Sequence, residues 1–301
     1  MALRLLTTGG GGQLGRSIAS VVADRKTVEA VFPDRAELDI SDSAAIAAAI
    51  DRYAPDAVIN CAAYTAVDNA EDNEAEAFAI NAAAAGSLAA ACAHAAVPLI
   101  HISTDYVFDG AKTAPYSESD PTCPVSVYGR SKLEGERRVA AAAPRHVILR
   151  TAWVHSEYGA NFVKTMLRLA ADRDTVSVVA DQYGSPTYAP HLAAAIVALA
   201  HRISDDPGTV PWGVFHAAGR GETNWAGLAR EIFARAREHS MPAAAVTDIM
   251  TGDYPTKAAR PANSRLDCGA LEAAFGVRLP HWKDGVRECV RALAGGPDEQ
   301  P

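Results

Sequence analysis

Cysteine is scarce in this chain of 301 residues, and its five copies are scattered. They stand at positions 61, 92, 123, 268 and 289, with no CxxC pair among them. An odd number of widely spaced cysteines argues against a disulfide framework and a cysteine-based zinc site, and it favours a reducing compartment. The nine histidines form no HExxH pattern either. The sequence therefore predicts a cytoplasmic protein without a metal site, although Mg²⁺ is compatible with it.

Long apolar runs and blocks of basic residues are also missing. No apolar run reaches the roughly 18 residues that a membrane span needs, and the glycines that begin at Gly9 come too early for a signal peptide. The formal net charge of −8 argues against a nucleic-acid surface. We therefore expect neither membrane nor nucleic acid as a partner, but a small molecule. An anionic ligand would need local cationic pockets.

What remains is an ordinary globular composition, with 49% hydrophobic and 21% charged residues. The first half alternates short β-rich runs with alanine-rich helical stretches, the rhythm of a parallel sheet covered by helices on both faces. The predicted strands cover residues 3–8, 27–32, 57–61, 99–103 and 147–151, and the predicted helices residues 13–24, 43–53, 74–95 and 128–142.

The second half is less regular. Helices are predicted at 160–171, 189–201 and 225–239, strands at 176–179 and 213–217, and a loop-rich stretch at 241–261. We expect an α/β fold, with a Rossmann-like, doubly wound parallel sheet and a smaller, mixed α/β C-terminal lobe for substrate binding. The expected boundaries are 1–155 for the first domain, with about 176–220 returning to it, 156–295 for the lobe, and 296–301 for a disordered tail.

A glycine-rich turn follows the first predicted strand. Gly9, Gly12 and Gly15 are spaced by two residues, and a predicted helix begins at Gln13. Glycines at these positions allow a tight turn, close backbone approach to a pyrophosphate and close packing of the helix on the strand. The N-terminus of the helix offers free N–H groups and its positive dipole end to phosphates. A dinucleotide-binding site at Gly9, Gly12, Gln13, Leu14 and Gly15 is therefore predicted.

The end of the second predicted strand bears on the choice of dinucleotide. Asp34 lies about 20 residues beyond the turn, where an acidic residue accepts hydrogen bonds from a free ribose 2′-hydroxyl. Arg35, beside it, would pair with a 2′-phosphate instead. Asp39 and Ile40 would flank the adenine. NADPH and NADH both stay open, with NADPH slightly preferred.

Tyr128 and Lys132 lie four residues apart, on one face of a predicted helix. An ammonium beside a phenol favours the phenolate, so we expect the pKa of Tyr128 to lie below its ordinary value of about 10. A tyrosine tuned in this way exchanges protons with a substrate oxygen. Such a pair is also common on exposed helical faces, and only the glycine turn gives it weight here.

The glycine turn and the Tyr-x-x-x-Lys pair together resemble the short-chain dehydrogenase/reductase superfamily. Four further segments narrow the resemblance to its extended members, the dTDP-4-dehydrorhamnose reductases, over roughly residues 3–292. They are Ser103-Thr-Asp-Tyr-Val-Phe-Asp-Gly110, Arg150-Thr-Ala-Trp153, Asp181-Gln-Tyr-Gly-Ser-Pro-Thr187 and Arg260-Pro-Ala-Asn-Ser264.

The resemblance implies reduction of the C4 keto group of dTDP-4-dehydro-β-L-rhamnose to dTDP-β-L-rhamnose, in dTDP-rhamnose biosynthesis for cell-surface polysaccharide. It implies that Tyr128 donates the proton, that Lys132 poises Tyr128 and binds the nicotinamide ribose, and that Thr104 bonds the carbonyl oxygen. The implied substrate contacts are Thr104, Asp105, Tyr128, Trp153 and Arg260, the last with the diphosphate. Further implied cofactor contacts are Ala63, Tyr64, Thr65, Ile102, Tyr128 and Lys132.

Two other interpretations stay open. Another sugar-nucleotide enzyme is one, either an epimerase or a 4,6-dehydratase; a dehydratase carries glutamate where Tyr106 follows Asp105 here. A non-catalytic regulatory subunit of the methionine adenosyltransferase type is the other, because it shares this fold and much of the motif set. Some reductases of the family are dimers bridged by a metal on glutamates, but Ser17 stands near the expected position. A monomer or homodimer without such a bridge is therefore expected.

Overall fold

The computed structural model describes residues 2–295, so the predicted disorder of the tail 296–301 lies outside the described residues. The strands are β1 (Leu3–Thr8), β2 (Val28–Val31), β3 (Ala57–Asn60), β4 (Leu99–Thr104), β5 (His146–Thr151), β6 (Val154–His155), β7 (Thr175–Val179), β8 (Tyr183–Gly184), β9 (Thr187–Tyr188), β10 (Gly213–His216), β11 (Thr223–Asn224) and β12 (Ala245–Ile249).

The helices are α1 (Gln13–Val22), α2 (Ser43–Tyr53), α3 (Val67–Ala70), α4 (Glu74–Phe78), α5 (Ala85–His94), α6 (Val127–Ala142), α7 (Phe162–Ala170), α8 (Ala189–Asp205), α9 (Trp225–Glu238), α10 (Gly269–Phe275) and α11 (Trp282–Ala294). A π-helical segment, Ala79–Ala84, joins α4 to α5, and 3₁₀ turns occupy Asp105–Val107 and Thr251–Asp253.

Six parallel strands form the main sheet, in the order β10-β5-β4-β3-β1-β2. All four residues of β3 are buried, as a continuous apolar run requires when helices cover both faces of a sheet. The predicted doubly wound parallel sheet is confirmed. The order of the strands reverses between β1 and β3, and ligands of such sheets bind in the crevice at the carboxyl ends on either side of the reversal.

Each face of the main sheet carries its own apolar core. On one face, Ile18 of α1 and Ile196 of α8 are fully buried with Leu271 and Phe275 of α10. On the other face, Ile46, Leu88 and Val139, from α2, α5 and α6, pack together. These two cores fix the helices whose ends border the crevice.

A smaller lobe is built on a two-stranded parallel sheet of β7 and β12. Val163 of α7, Ile232 of α9 and Val286 of α11 are fully buried in its core. We expected residues 176–220 to belong to the domain of the main sheet. Helix α8 and strand β10 do belong to it, but β7 pairs with β12 and belongs to the smaller lobe. The strand β12 also lies within the stretch that we expected to be rich in loops.

By length and composition, the continuous helix Glu74–His94 could cross a membrane, contrary to the expectation from the sequence. In the structure its Leu88 and Cys92 side chains are fully buried in the core between the sheet and α6. Part of the apolar surface of this helix is therefore buried in the core.

Candidate active site

The glycine turn lies at the carboxyl end of β1, beside the residues that follow β3. Gly9 has a positive φ of 70°, and a Cβ on it would lie 2.6 Å from the backbone nitrogen of Ala62. A Cβ on Gly15 would collide with the carbonyl oxygen of Gly9. Gly12 precedes α1, and no side chain in the described part of the chain caps the N-terminus of that helix. The turn therefore keeps backbone N–H groups and space for a pyrophosphate, and it fits a dinucleotide.

Gln13 and Leu14 use their side chains for other contacts. Leu14 is buried in the core beneath α1. The Oε1 atom of Gln13 accepts hydrogen bonds from Ser156 Oγ at 3.1 Å and from Asn161 Nδ2 at 2.9 Å. Gln13 thus ties the phosphate turn to the segment that leads into α7, a contact that the sequence did not predict.

The expected adenosine contacts follow β2. Asp34 is exposed, and its Oδ1 atom accepts hydrogen bonds from the backbone nitrogens of Ala36 and Glu37, at 2.7 and 2.9 Å. The Arg35 side chain is 78% exposed and lies 3.7 Å from Asp39. Ile40 is buried. Arg35 is therefore the side chain here with the most freedom to meet a ligand.

The residues Ala63, Tyr64 and Thr65 lie at the carboxyl end of β3, across the crevice from the glycine turn. The backbone of Tyr64 is held on both sides by Asn81, which accepts from its N–H at 2.8 Å and donates to its carbonyl at 3.1 Å. Asn81 also donates to Ser131 Oγ at 2.9 Å, beside Lys132. It belongs to the π-helical segment, a kind of distortion that is frequent at functional sites. An alanine-rich run gives no sequence signal for this role.

Tyr128 and Lys132 lie in the first turns of α6, which Ser126 caps by accepting a hydrogen bond from Gly129 N at 3.1 Å. The absence of a side chain at Gly129 lets the helix pack directly on the backbone of Tyr106. Lys132 is 2% exposed, and its Nζ donates to the carbonyl oxygen of Ile102 at 2.7 Å. Helix α6 and strand β4 thus bring the predicted pair beside Ile102 and Thr104.

The ionisation of this pair differs from the prediction. Burial raises the pKa of Tyr128 to about 12, and the Thr104 side chain opposes this rise only in part. Burial also lowers the pKa of Lys132 to about 8, against the effect of Glu136. The expectation that Lys132 would bring the phenol pKa below its ordinary value is therefore wrong for this structure. Desolvation of the phenolate is the largest effect, the charge of Asp105 raises the pKa further, and Tyr128 is neutral at pH 7.

Thr104 and Asp105 follow at the end of β4. Thr104 Oγ1 accepts from Tyr106 N at 3.2 Å and donates to Asp105 Oδ1 at 3.1 Å. Asp105 is 2% exposed, and its Oδ2 atom has no hydrogen-bond partner among the described residues. Burial raises its pKa to about 6, while the neighbouring hydroxyls of Ser264 and Thr104 act in the opposite direction. A buried carboxylate oxygen without a partner is costly, and a polar ligand group would satisfy it.

Trp153 follows β5 with a positive φ of 49°, an uncommon conformation for a bulky residue. Its ring stacks on Trp225 of the smaller lobe, with ring centroids 3.5 Å apart and an angle of 4° between the planes. A Cβ on Gly184 would collide with the Trp153 indole. The pair thus makes a rigid aromatic contact between the main sheet and the lobe.

Arg260 does not present a free charge. Its Nη1 and Nη2 atoms lie 3.1 and 2.8 Å from the two carboxylate oxygens of Asp68. Lys257, three residues earlier, pairs with Asp72. These two pairs tie the segment before Pro261 to Asp68 and Asp72, which follow β3 in the chain. A diphosphate would have to compete with Asp68 for this guanidinium.

No group of three or more His, Cys, Asp or Glu side chains within residues 2–295 is arranged to hold a metal ion. All five cysteines are free thiols.

Comparison with known proteins places these features in context. A family model described as the RmlD substrate binding domain matches residues 3–294. A dTDP-4-dehydrorhamnose reductase of Sinorhizobium fredii is 48% identical over 97% of this chain and 98% of its own. Among solved structures, a dTDP-4-dehydrorhamnose reductase of Clostridium acetobutylicum is 38% identical with a TM-score of 0.89, covering 97% of this chain and 99% of its own. One from Bacillus anthracis, in complex with NADP, is 34% identical with a TM-score of 0.89, covering 97% and 100%.

Proposed function

The chain belongs to the dTDP-4-dehydrorhamnose reductase family, and we propose that it reduces the C4 keto group of dTDP-4-dehydro-β-L-rhamnose to give dTDP-β-L-rhamnose. The observation that carries the proposal is the convergence of Thr104, Tyr128 and Lys132 at the carboxyl end of the main sheet that also holds the glycine turn. The product serves dTDP-rhamnose biosynthesis for cell-surface polysaccharide.

The cofactor is a reduced nicotinamide dinucleotide, NADPH or NADH, which when bound supplies a hydride to the carbonyl carbon. Backbone N–H groups at Gln13 and Leu14 would bind its pyrophosphate, and Gly12, whose N–H donates to Gly9 O at 3.0 Å, would shape the turn around it. Ala63, Tyr64 and Thr65 would border the cofactor across the crevice. Arg35 is placed to pair with a 2′-phosphate because it is exposed and only weakly engaged by Asp39. This supports a slight preference for NADPH.

Tyr128 is the proposed proton donor to the carbonyl oxygen. A pKa raised to about 12 keeps its proton in place at neutral pH, which is the form that reduction consumes. Lys132, charged below about pH 8, would stabilise the phenolate left after transfer and bond the nicotinamide ribose. The Thr104 hydroxyl would hold the carbonyl oxygen beside the phenol.

Substrate contacts are proposed around this pair. The partnerless Oδ2 of Asp105 would accept a hydrogen bond from a sugar hydroxyl, and Trp153 would border the sugar. Arg260 would bind the diphosphate on release from Asp68. In this arrangement residues 1–155, with α8 and β10, form the cofactor-binding domain and also carry Asp105 and Trp153, and most of residues 156–295 form the substrate-binding lobe that carries Arg260.

We infer a monomer or homodimer that works in the cytoplasm on this small molecule. The support is the net charge of −8 and the five dispersed free cysteines, which suit a reducing compartment.

The test follows oxidation of NADPH or NADH, by absorbance, in the presence of dTDP-4-dehydrorhamnose. We expect turnover in the wild type and a loss of about 10²–10⁴-fold in Tyr128→Phe, with cofactor affinity retained. Tyr53→Phe, on the distant helix α2, is the matched control and should keep full activity. No oxidation with either cofactor would refute the proposal and favour a non-catalytic binding role. Full activity of Tyr128→Phe would remove that residue from the chemistry.

A further inference from the structure

A third polar residue continues the face of α6 that carries Tyr128 and Lys132. Glu136 lies one further turn along the helix and is 4% exposed. Its Oε1 atom accepts hydrogen bonds from Ser103 Oγ at 2.5 Å and from Arg150 Nε at 2.9 Å, and its Oε2 atom accepts from Arg150 Nη2 at 2.7 Å. The carboxylate is thus fixed at both oxygens by strands β4 and β5.

Strand β4 also holds the lysine of the proposed site. Ile102 of β4 accepts the hydrogen bond from Lys132 Nζ, and the next residue, Ser103, donates to Glu136. Two consecutive residues of β4 therefore bind two consecutive turns of α6. A substitution at Glu136 would therefore alter the position of Lys132, because both residues belong to α6 and both contact β4.

Glu136 also differs in charge from the other groups around Lys132. Cys61, after β3, and His101, on β4, face the ammonium, but burial raises the pKa of Cys61 to about 12 and holds the pKa of His101 well below its ordinary value. Both are therefore neutral near pH 7, as is Tyr128. In the described part of the chain, Glu136 supplies the negative charge that opposes loss of the Lys132 proton.

We propose that Glu136, fixed by Ser103 and Arg150, is a positioning residue that keeps Lys132 protonated and in place against Ile102 of β4. This inference rests on the proposed role of Lys132 in the reduction. Without the carboxylate, a buried ammonium would be surrounded by neutral groups and by the guanidinium of Arg150. It would then lose its proton at a lower pH.

The test measures kcat/KM against pH at saturating cofactor in the full-length protein. For Glu136→Gln we expect the fall of activity on the basic side to move to lower pH by about one unit or more, with activity within a few fold of wild type at the acidic end. Glu136→Asp keeps the charge and should keep the wild-type profile. Glu134→Gln, two residues away and paired with Arg138 at the surface, is the matched control and should also keep it.

A buried arginine left without its partner destabilises a protein, so Glu136→Gln is combined with Arg150→Gln if the single variant fails to fold. The double variant also removes the guanidinium of Arg150, so we expect a displacement in the same direction but smaller than in the single variant. An equal loss of activity at every pH, in whichever of the two variants folds, would overturn the inference and leave Glu136 with a structural role. Failure of the proposed function is distinguishable, because the wild type itself would then show no reduction.

Discussion

Replacing Asp105 by asparagine is expected to stabilise the protein at neutral pH and to weaken substrate binding. The carboxylate is 2% exposed, and its Oδ2 atom has no partner among the described residues. Burial raises its pKa from 3.8 to about 6, so the folded protein pays for carrying this charge. Asparagine keeps the shape and the oxygen that faces Thr104 but carries no charge to desolvate.

The magnitude follows from the linkage between pKa and stability. Because the folded pKa lies above the unfolded one, the cost is absent below about pH 4, grows between about pH 4 and 6, and is complete above pH 6. One pKa unit corresponds to about 1.4 kcal/mol, so the full cost is about 3 kcal/mol. We take this as the upper limit for the gain in Asp105→Asn, since the new amide group must also find partners.

Urea unfolding of wild type and Asp105→Asn, at pH 4 and at pH 8, measures this difference. The variant should be close to wild type at pH 4 and more stable at pH 8, while its KM for substrate rises. Asp109→Asn is the control of opposite sign, because hydrogen bonds from Ala111 N and Tyr116 lower the pKa of Asp109. That stability is present at pH 8 and is lost as the pH falls, so this variant should be weaker at pH 8. An Asp105→Asn protein less stable than wild type at pH 8 would refute the reasoning.

Three further changes test the cofactor and substrate contacts. Gly15→Ala should lose about 1–3 kcal/mol of stability in thermal unfolding, because its Cβ meets backbone, whereas Gly11→Ala, whose Cβ meets nothing within 4 Å, should stay near wild type; equal stabilities would contradict this. Arg35→Ala should raise the KM for NADPH about tenfold or more and leave that for NADH unchanged; a parallel change would remove Arg35 from 2′-phosphate recognition. Arg260→Gln should raise the KM for substrate about tenfold or more without changing that for cofactor; an unchanged substrate KM would show that Arg260 serves only its pair with Asp68.

The strands of the main sheet were predictable because burial on both faces favours runs of buried, mostly apolar residues, such as residues 57–59 in β3. Strand β12 was missed because its side chains are largely exposed and include Thr247 and Asp248, so no apolar pattern marks it. Strand β7 was predicted, but its sheet was not. An apolar pattern indicates that a segment is extended and does not say with which partner it pairs.

Some parts of the site could be predicted from the sequence and others could not. Spacing along the chain placed Lys132 one turn from Tyr128, and the resemblance to a family supplied Thr104. Contacts made by residues distant in sequence left no signal, such as those of Asn81 with Tyr64 and Ser131. Asn81 lies in a π-helical segment within an alanine-rich run. Such a run has neither a capping residue nor an apolar periodicity from which the π-helical distortion could be predicted.

The sequence predicted a lowered pKa for Tyr128, and the structure shows a raised one. The prediction failed because the spacing of two residues indicates how close they are but not how far they are buried from solvent. Burial acts on both members of the pair: it makes the phenolate of Tyr128 costly and the ammonium of Lys132 costly. For a reductase, the first effect keeps the proton on the donor until the carbonyl oxygen takes it. In the proposed mechanism the second effect works against catalysis, since the phenolate that remains after proton transfer needs a charged lysine. A buried carboxylate near Lys132 raises the pKa of the lysine without lowering the pKa of Tyr128. Among the described residues, Glu136 is such a carboxylate.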